Sequence, residues 1–161
     1  MNGVLKRLLA ITLALCIVLP IFPQLDTTAL AASSGDVTGL SNDNLGLSYS
    51  GDKTDTWTAS GTTITGSVVS EGGTCGDTAY TSTLTITNKK ASSATLSFDY
   101  AIEQNSGKIQ VDGTEVKAGG KFSKELASDA SIKVYIKSGS TSAATKITMT
   151  NVALVSNVNA T

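Results

Sequence analysis

A chain of 161 residues with net charge −1 and no histidine has room for one ordinary domain. It lacks the side chain on which Ser-His and Cys-His nucleophile pairs and the usual imidazole metal sites depend. Arg7 is the only arginine, and the lysines from Lys53 to Lys146 form no run, so the basic stripe of a nucleic-acid or anionic-membrane footprint is missing from the sequence.

The chain opens with Lys6 and Arg7 ahead of an apolar run, Leu8 to Leu19. Pro20 and Pro23 break the run, and Ala29-Leu30-Ala31 supplies small residues two apart, the layout of a secretory signal peptide. The run is about 12 residues, against the roughly 20 that a membrane-spanning helix needs, which disfavours an uncleaved anchor. A signal peptide is therefore expected over 1–31, with cleavage after Ala31 or Ala32. Cys16 lies mid-run behind Leu15, the wrong setting for a lipoprotein cysteine. Removing Lys6, Arg7 and Asp26 takes the net charge from −1 to about −2 and leaves lysine as the only basic residue.

Residues 32–44 are small and polar and read as a flexible lead-in. A β domain is expected over 45–155, and 156–161 as a C-terminal tail. Leu45, Leu47 and Tyr49 share one parity, Ser50 to Lys53 is a turn, and Thr56 to Ala59 and Thr63 to Thr65 are short strands. Glu71 to Thr81 is glycine-rich and reads as a loop. Ser82 to Asn88 alternates with Leu84 and Ile86 inward and threonines outward. The longest alternation follows: Leu96, Phe98, Tyr100 and Ile102 point to a core, and Thr95, Ser97, Asp99 and Ala101 to water.

Asp112-Gly113 between Lys108 to Val111 and Thr114 to Lys117 is a two-residue hairpin signal, pairing Val111 with Thr114 and Ile109 with Val116. Phe122 and Leu126 point inward from the next strand, and Lys124, on their parity, reads as a charge guarding a sheet edge. Ile132, Val134 and Ile136 point inward from Ser131 to Ser138, leaving Lys133, Tyr135 and Lys137 outside. In Thr145 to Val155 the inward set passes from Ile147 and Met149 to Val152 and Leu154, a change of parity that predicts a β-bulge near Asn151. Eight to ten short strands without a helical period predict an all-β fold, a single antiparallel jelly-roll-like sandwich.

The segments STLTITN, ATLSFDYAI, GKIQVDG, KFSKEL, SIKVYIK and ITMTNVALV resemble a module of large secreted or cell-surface proteins of Gram-positive bacteria. The resemblance covers roughly residues 57 to 155. It implies a jelly-roll-like sandwich at or beyond the cell surface, and it brings no catalytic residues with it. Thr161 follows the last strand closely, so the chain reads as a free-standing short version or as a fragment of such a protein.

The remaining chemistry rests on carboxylates, lysines, tyrosines and one thiol. A glycosidase needs two acids facing one another across a cleft. Asp99 and Glu103 are the only pair near a strong strand, and Asp99 among Thr95 and Ser97 reads as solvated, so no catalytic residue is assigned. Sugars stack on exposed aromatic rings. Tyr135 is the first candidate, Tyr80 beside the glycine loop the second, and Trp57 the third, with a core role as its simpler account. Calcium wants clustered oxygens, for which Asp43, Asp52 and Asp55 are the loop-borne candidates. No other cofactor is expected. Cys75 is the single thiol after the leader, either free or half of an intermolecular bridge.

The chain therefore reads as a secreted, non-catalytic module for binding, spacing or adhesion, with a polysaccharide or another surface protein as its partner. Nucleic acid is not expected, and a membrane only through the signal peptide before cleavage. The alternatives are a carbohydrate-binding accessory domain, a carboxylate-based carbohydrate-active enzyme, and a surface subunit that assembles through its strand edges.

Overall fold

The computed structural model describes residues 33–52, 56–71, 78–139 and 143–157. The expected signal peptide, Asp55 and Cys75 lie outside them. Among the described residues there is no helix, and so none long and apolar enough to cross a membrane.

The chain forms β1 (Ser33–Asp36), β2 (Leu45–Gly51), β3 (Trp57–Ser60), β4 (Thr63–Val68), β5 (Thr81–Asn88) and β6 (Ala94–Glu103). It continues as β7 (Lys108–Val111), β8 (Thr114–Glu115), β9 (Gly120–Leu126), β10 (Ser131–Lys137) and β11 (Thr145–Ser156). The larger sheet has the order β1-β2-β5-β10-β7-β8 and the smaller β3-β4-β11-β6-β9, with the named strand pairs antiparallel. Apart from the β1–β2, β3–β4 and β7–β8 pairs, successive strands alternate between the sheets, so seven of the ten connections between named strands cross the sandwich.

Alternation in the sequence becomes burial in the sandwich. Leu84, Ile86, Ile109, Val134 and Ile136 of the larger sheet and Ile64, Leu96, Ile147 and Met149 of the smaller one have no measurable exposure. Each such side chain removed from water contributes about 1.5–3 kcal/mol before ordering costs. Phe98 stacks on Phe122 of the neighbouring strand, ring centroids 4.8 Å apart.

The hairpin takes the expected register, Val111 opposite Thr114, with the Val116 amide donating to the Ile109 carbonyl at 3.0 Å. Asp112 (φ 49°) and Gly113 (φ 80°) both adopt the left-handed conformation that such a turn requires. The bulge also falls where the parity change placed it. Thr150 faces Asp99 and Ala153 faces Ser97, so two residues of β11 oppose one of β6, and Asn151 takes φ 56°.

The lead-in differs from expectation. Ser33–Asp36 is an edge strand on β2, and the stretch after it is tied down by Val37 donating to the Leu47 carbonyl and Ser41 to the Gly61 carbonyl. A polar strand of this kind is specified by backbone pairing rather than by an apolar stripe, which is why its pattern is silent. Lys124 is exposed despite its inward parity. At the edge of the smaller sheet its ammonium reaches the Asp112 carboxylate of the larger sheet, 2.6 Å away.

Candidate functional site

The outer face of the larger sheet is built from rows of side chains in register. One row runs Ser50–Thr83–Tyr135–Gln110–Glu115 across β2, β5, β10, β7 and β8. The next holds Ser48–Thr85–Lys133, and the row on the other side Thr81–Lys137–Lys108. Every outward position of β5 is a threonine: Thr81, Thr83, Thr85 and Thr87. Threonine suits a pleated surface and presents its hydroxyl beside the neighbouring strand. Tyr135 is thus a half-exposed ring in the interior of a face rich in hydroxyls, flanked along its own strand by the exposed Lys133 and Lys137.

The other aromatic candidates turn inward. Trp57 is 5% exposed, its ring covers Gly66, and its indole N–H donates to Ser82 Oγ at 2.9 Å inside the sandwich. Tyr80 is 4% exposed. It lies just ahead of β5, where its amide donates to Ser138 Oγ and the Ser138 amide to its carbonyl, both at 2.9 Å. The Tyr80 hydroxyl donates to Glu71 Oε2 at 2.8 Å, and that bond, then burial and the charges of Glu71 and Asp52, push the phenol above its ordinary range. Trp57 and Tyr80 thus have their rings covered, and of the three aromatic candidates Tyr135 alone keeps part of its surface open to solvent.

Of the three calcium candidates, Asp43 and Asp52 lie among the described residues. Asp52 Oδ2 accepts from the Thr81 amide at 2.7 Å and from Thr81 Oγ1 at 2.9 Å, so this carboxylate braces the start of β5. Asp43 is exposed in a separate turn, where Asn42 Oδ1 accepts from the Asn44 amide at 3.1 Å. Among the described residues no three acids, cysteines or histidines come together as a metal cluster.

A shallow depression of about 300 Å³ lies on the smaller sheet, lined by Ser97, Asp99, Lys121, Ser123 and Asn151 together with Phe98 and Phe122. Asp99 is its one carboxylate. Asn151 Nδ2 donates to Asp99 Oδ2 at 2.9 Å, and Lys121 Nζ lies 3.2 Å from Oδ1. The Asn151 bond and then Lys121 hold Asp99 below its ordinary pKa. Glu103, farther along β6, is paired with Lys146 at 3.5 Å. Asp99 and Glu103 thus each lie beside a lysine, and only Asp99 lines the depression.

Sequence reasoning missed Gln110, Thr83 and Thr85 as companions of Tyr135. Parity gave the face of each residue, but the β5-β10-β7 neighbourhood arises from crossings between sheets that carry no local signal.

No family model matches the chain, and no curated protein does. Among solved structures, a β-glucosidase from Kluyveromyces marxianus in complex with glucose is similar over 50% of this chain and 11% of its own, at 15% identity and a TM-score of 0.24.

Proposed function

We propose that the chain is a non-catalytic extracellular β-sandwich module that binds polysaccharide on the outer face of its larger sheet. The observation that carries this reading is the position of Tyr135, half-exposed between Thr83 and Gln110. The ring offers a flat apolar surface to sugar C–H groups, and threonine hydroxyls and a carboxamide lie beside it to pair with sugar hydroxyls. The leader-like pattern of residues 1–31 supports a site of action outside the cell. The commitment of Asp99 and Glu103 to their own cations supports a binding role over hydrolysis.

Assembly through strand edges draws less support. The edge strands β1, β3 and β8 are of four residues or fewer, and β9 carries Lys121, Lys124 and Glu125, all of which discourage edge-to-edge pairing.

Affinity electrophoresis against a panel of neutral and acidic polysaccharides tests the reading. Retardation by at least one, abolished in Tyr135→Ala, is the expected result. Retardation by none, or retardation unchanged in Tyr135→Ala, rejects it.

A further inference from the structure

We infer that the Tyr135 face selects an anionic polysaccharide, with Lys133 and Lys137 pairing with its acid groups on either side of the stacked ring. This rests on the reading of Tyr135 as the platform and adds the chemical class of its ligand.

The inference comes from where charge is spent and where it is not. On the smaller sheet Lys121 faces Asp99 and Lys146 faces Glu103, so both of these lysines are matched by an acid on their own face. On the larger sheet Glu115, Asp112 and Asp52 are already engaged, and Asp36 stands three strands from β10, on β1. Glu115 lies 3.2 Å from Lys108 and 3.8 Å from Lys117. The Asp112 amide donates to the Lys133 carbonyl, yet its carboxylate turns away to Lys124. Asp52 is held by Thr81. Among the described residues neither Lys133 nor Lys137 has an acidic partner, and both are exposed. A chain of net charge −1 thus presents on this face, on either side of Tyr135, two lysines without an acidic partner among the described residues.

The spacing suits an extended polymer. Residues two apart on a strand lie about 6.7 Å apart on the same face, so the Cα atoms of the two lysines sit roughly 13 Å apart with that of Tyr135 midway. A glycan running along β10 would meet cation, ring and cation in turn. Single-stranded nucleic acid is the other polyanion that stacks on rings, but its binding surfaces combine several aromatic platforms with arginine. This face has one ring, lysine alone, and a border of threonine hydroxyls.

The test is isothermal titration calorimetry of the purified protein with polygalacturonate, its fully methyl-esterified form and oligo-deoxythymidylate as probes. Polygalacturonate is expected to bind and the ester to bind more weakly. Lys133→Gln and Lys137→Gln should each weaken polygalacturonate binding roughly two- to fivefold, as loss of an exposed ion pair does, and added salt should weaken it further. Lys146→Gln, on the opposite face, should leave it unchanged. Equal binding of acid and ester, or binding indifferent to both lysine substitutions, overturns the charge inference while leaving the Tyr135 reading intact if Tyr135→Ala still abolishes it. Preference for the oligonucleotide overturns the inference in favour of nucleic acid. Failure of both polygalacturonate forms to bind overturns the inference, and the reading beneath it falls only if the neutral panel fails as well.

Discussion

The indole nitrogen of Trp57 lies 2.9 Å from the hydroxyl of Ser82, a hydrogen bond that crosses from β3 of the smaller sheet to β5 of the larger through the interior. Both residues are at most 5% exposed, so no solvent replaces either partner. The same ring explains Gly66: a Cβ there would stand 2.3 Å from Trp57 Cζ3. Ser82→Ala should cost about 1–3 kcal/mol, the penalty of a buried donor left unsatisfied. Gly66→Ala should cost more, because a rigid ring must move, and Trp57→Leu should recover part of that loss in the double variant. Urea denaturation of the parent, the three single variants and the double variant checks both statements.

A second fastening lies at the opposite end of β5. Asn88 is fully buried, its Nδ2 donates to the carbonyls of Ser92, Leu126 and Ala127, each at 3.0 Å, and its Oδ1 accepts from the Lys90 amide at 2.9 Å. One side chain therefore binds the β5–β6 turn and the end of β9 to the larger sheet. Asn88→Ala strands these groups together and should destabilise by at least about 3 kcal/mol in the same assay. A loss below 1 kcal/mol would mean that water takes over the side chain's role.

Asn151 serves both backbone and charge. Its φ of 56° is costly for most side chains, and its amide holds Asp99. Asn151→Gly keeps the backbone accessible and deletes the hydrogen bond, so Asp99 should titrate closer to its ordinary value of 3.8, as followed by carboxyl NMR. Because the folded state depresses this pKa, Asp99 contributes stability above its unfolded pKa and loses it as pH falls through the lower folded value. The acid limb of the stability curve should accordingly flatten in Asn151→Gly. Asn151→Val should unfold more readily at every pH, by about 1–2 kcal/mol of backbone strain.

The two sides of the sheets should respond differently to truncation. Phe98 is 3% exposed and stacked on Phe122, so Phe98→Ala should cost about 3–5 kcal/mol. Lys133→Ala, on the outer face, should stay within about 0.5 kcal/mol of the parent, and Tyr135→Ala within about 1 kcal/mol. Thermal melts of the three variants separate core from outer face. A large loss in Tyr135→Ala would mark that ring as structural.

Period-two alternation was enough to read β6, the Asp112-Gly113 hairpin and the bulge at Asn151, because each follows from the pleat and one face of each strand is dry. The pattern was blind to β1, whose residues Ser33–Asp36 have no apolar stripe and depend on β2 for their hydrogen bonds. It was blind also to Tyr80, which sits outside regular alternation and is buried by contacts distant in sequence. For the candidate site, parity put Tyr135, Lys133 and Lys137 outside, but not beside Thr83, Thr85 and Gln110. Nor could it tell which lysines have no acidic partner among the described residues, since Asp112 is drawn to Lys124 by the meeting of the two sheets.

The most direct test of the proposed binding face is amide NMR of the labelled protein during titration with the best-retarded polysaccharide. Shifts centred on Thr83, Gln110, Lys133, Tyr135 and Lys137, with the smaller sheet unperturbed, are the expected result. Shifts centred instead on Ser97, Asp99, Lys121 and Asn151 would place the site in the depression on the opposite face and contradict the account.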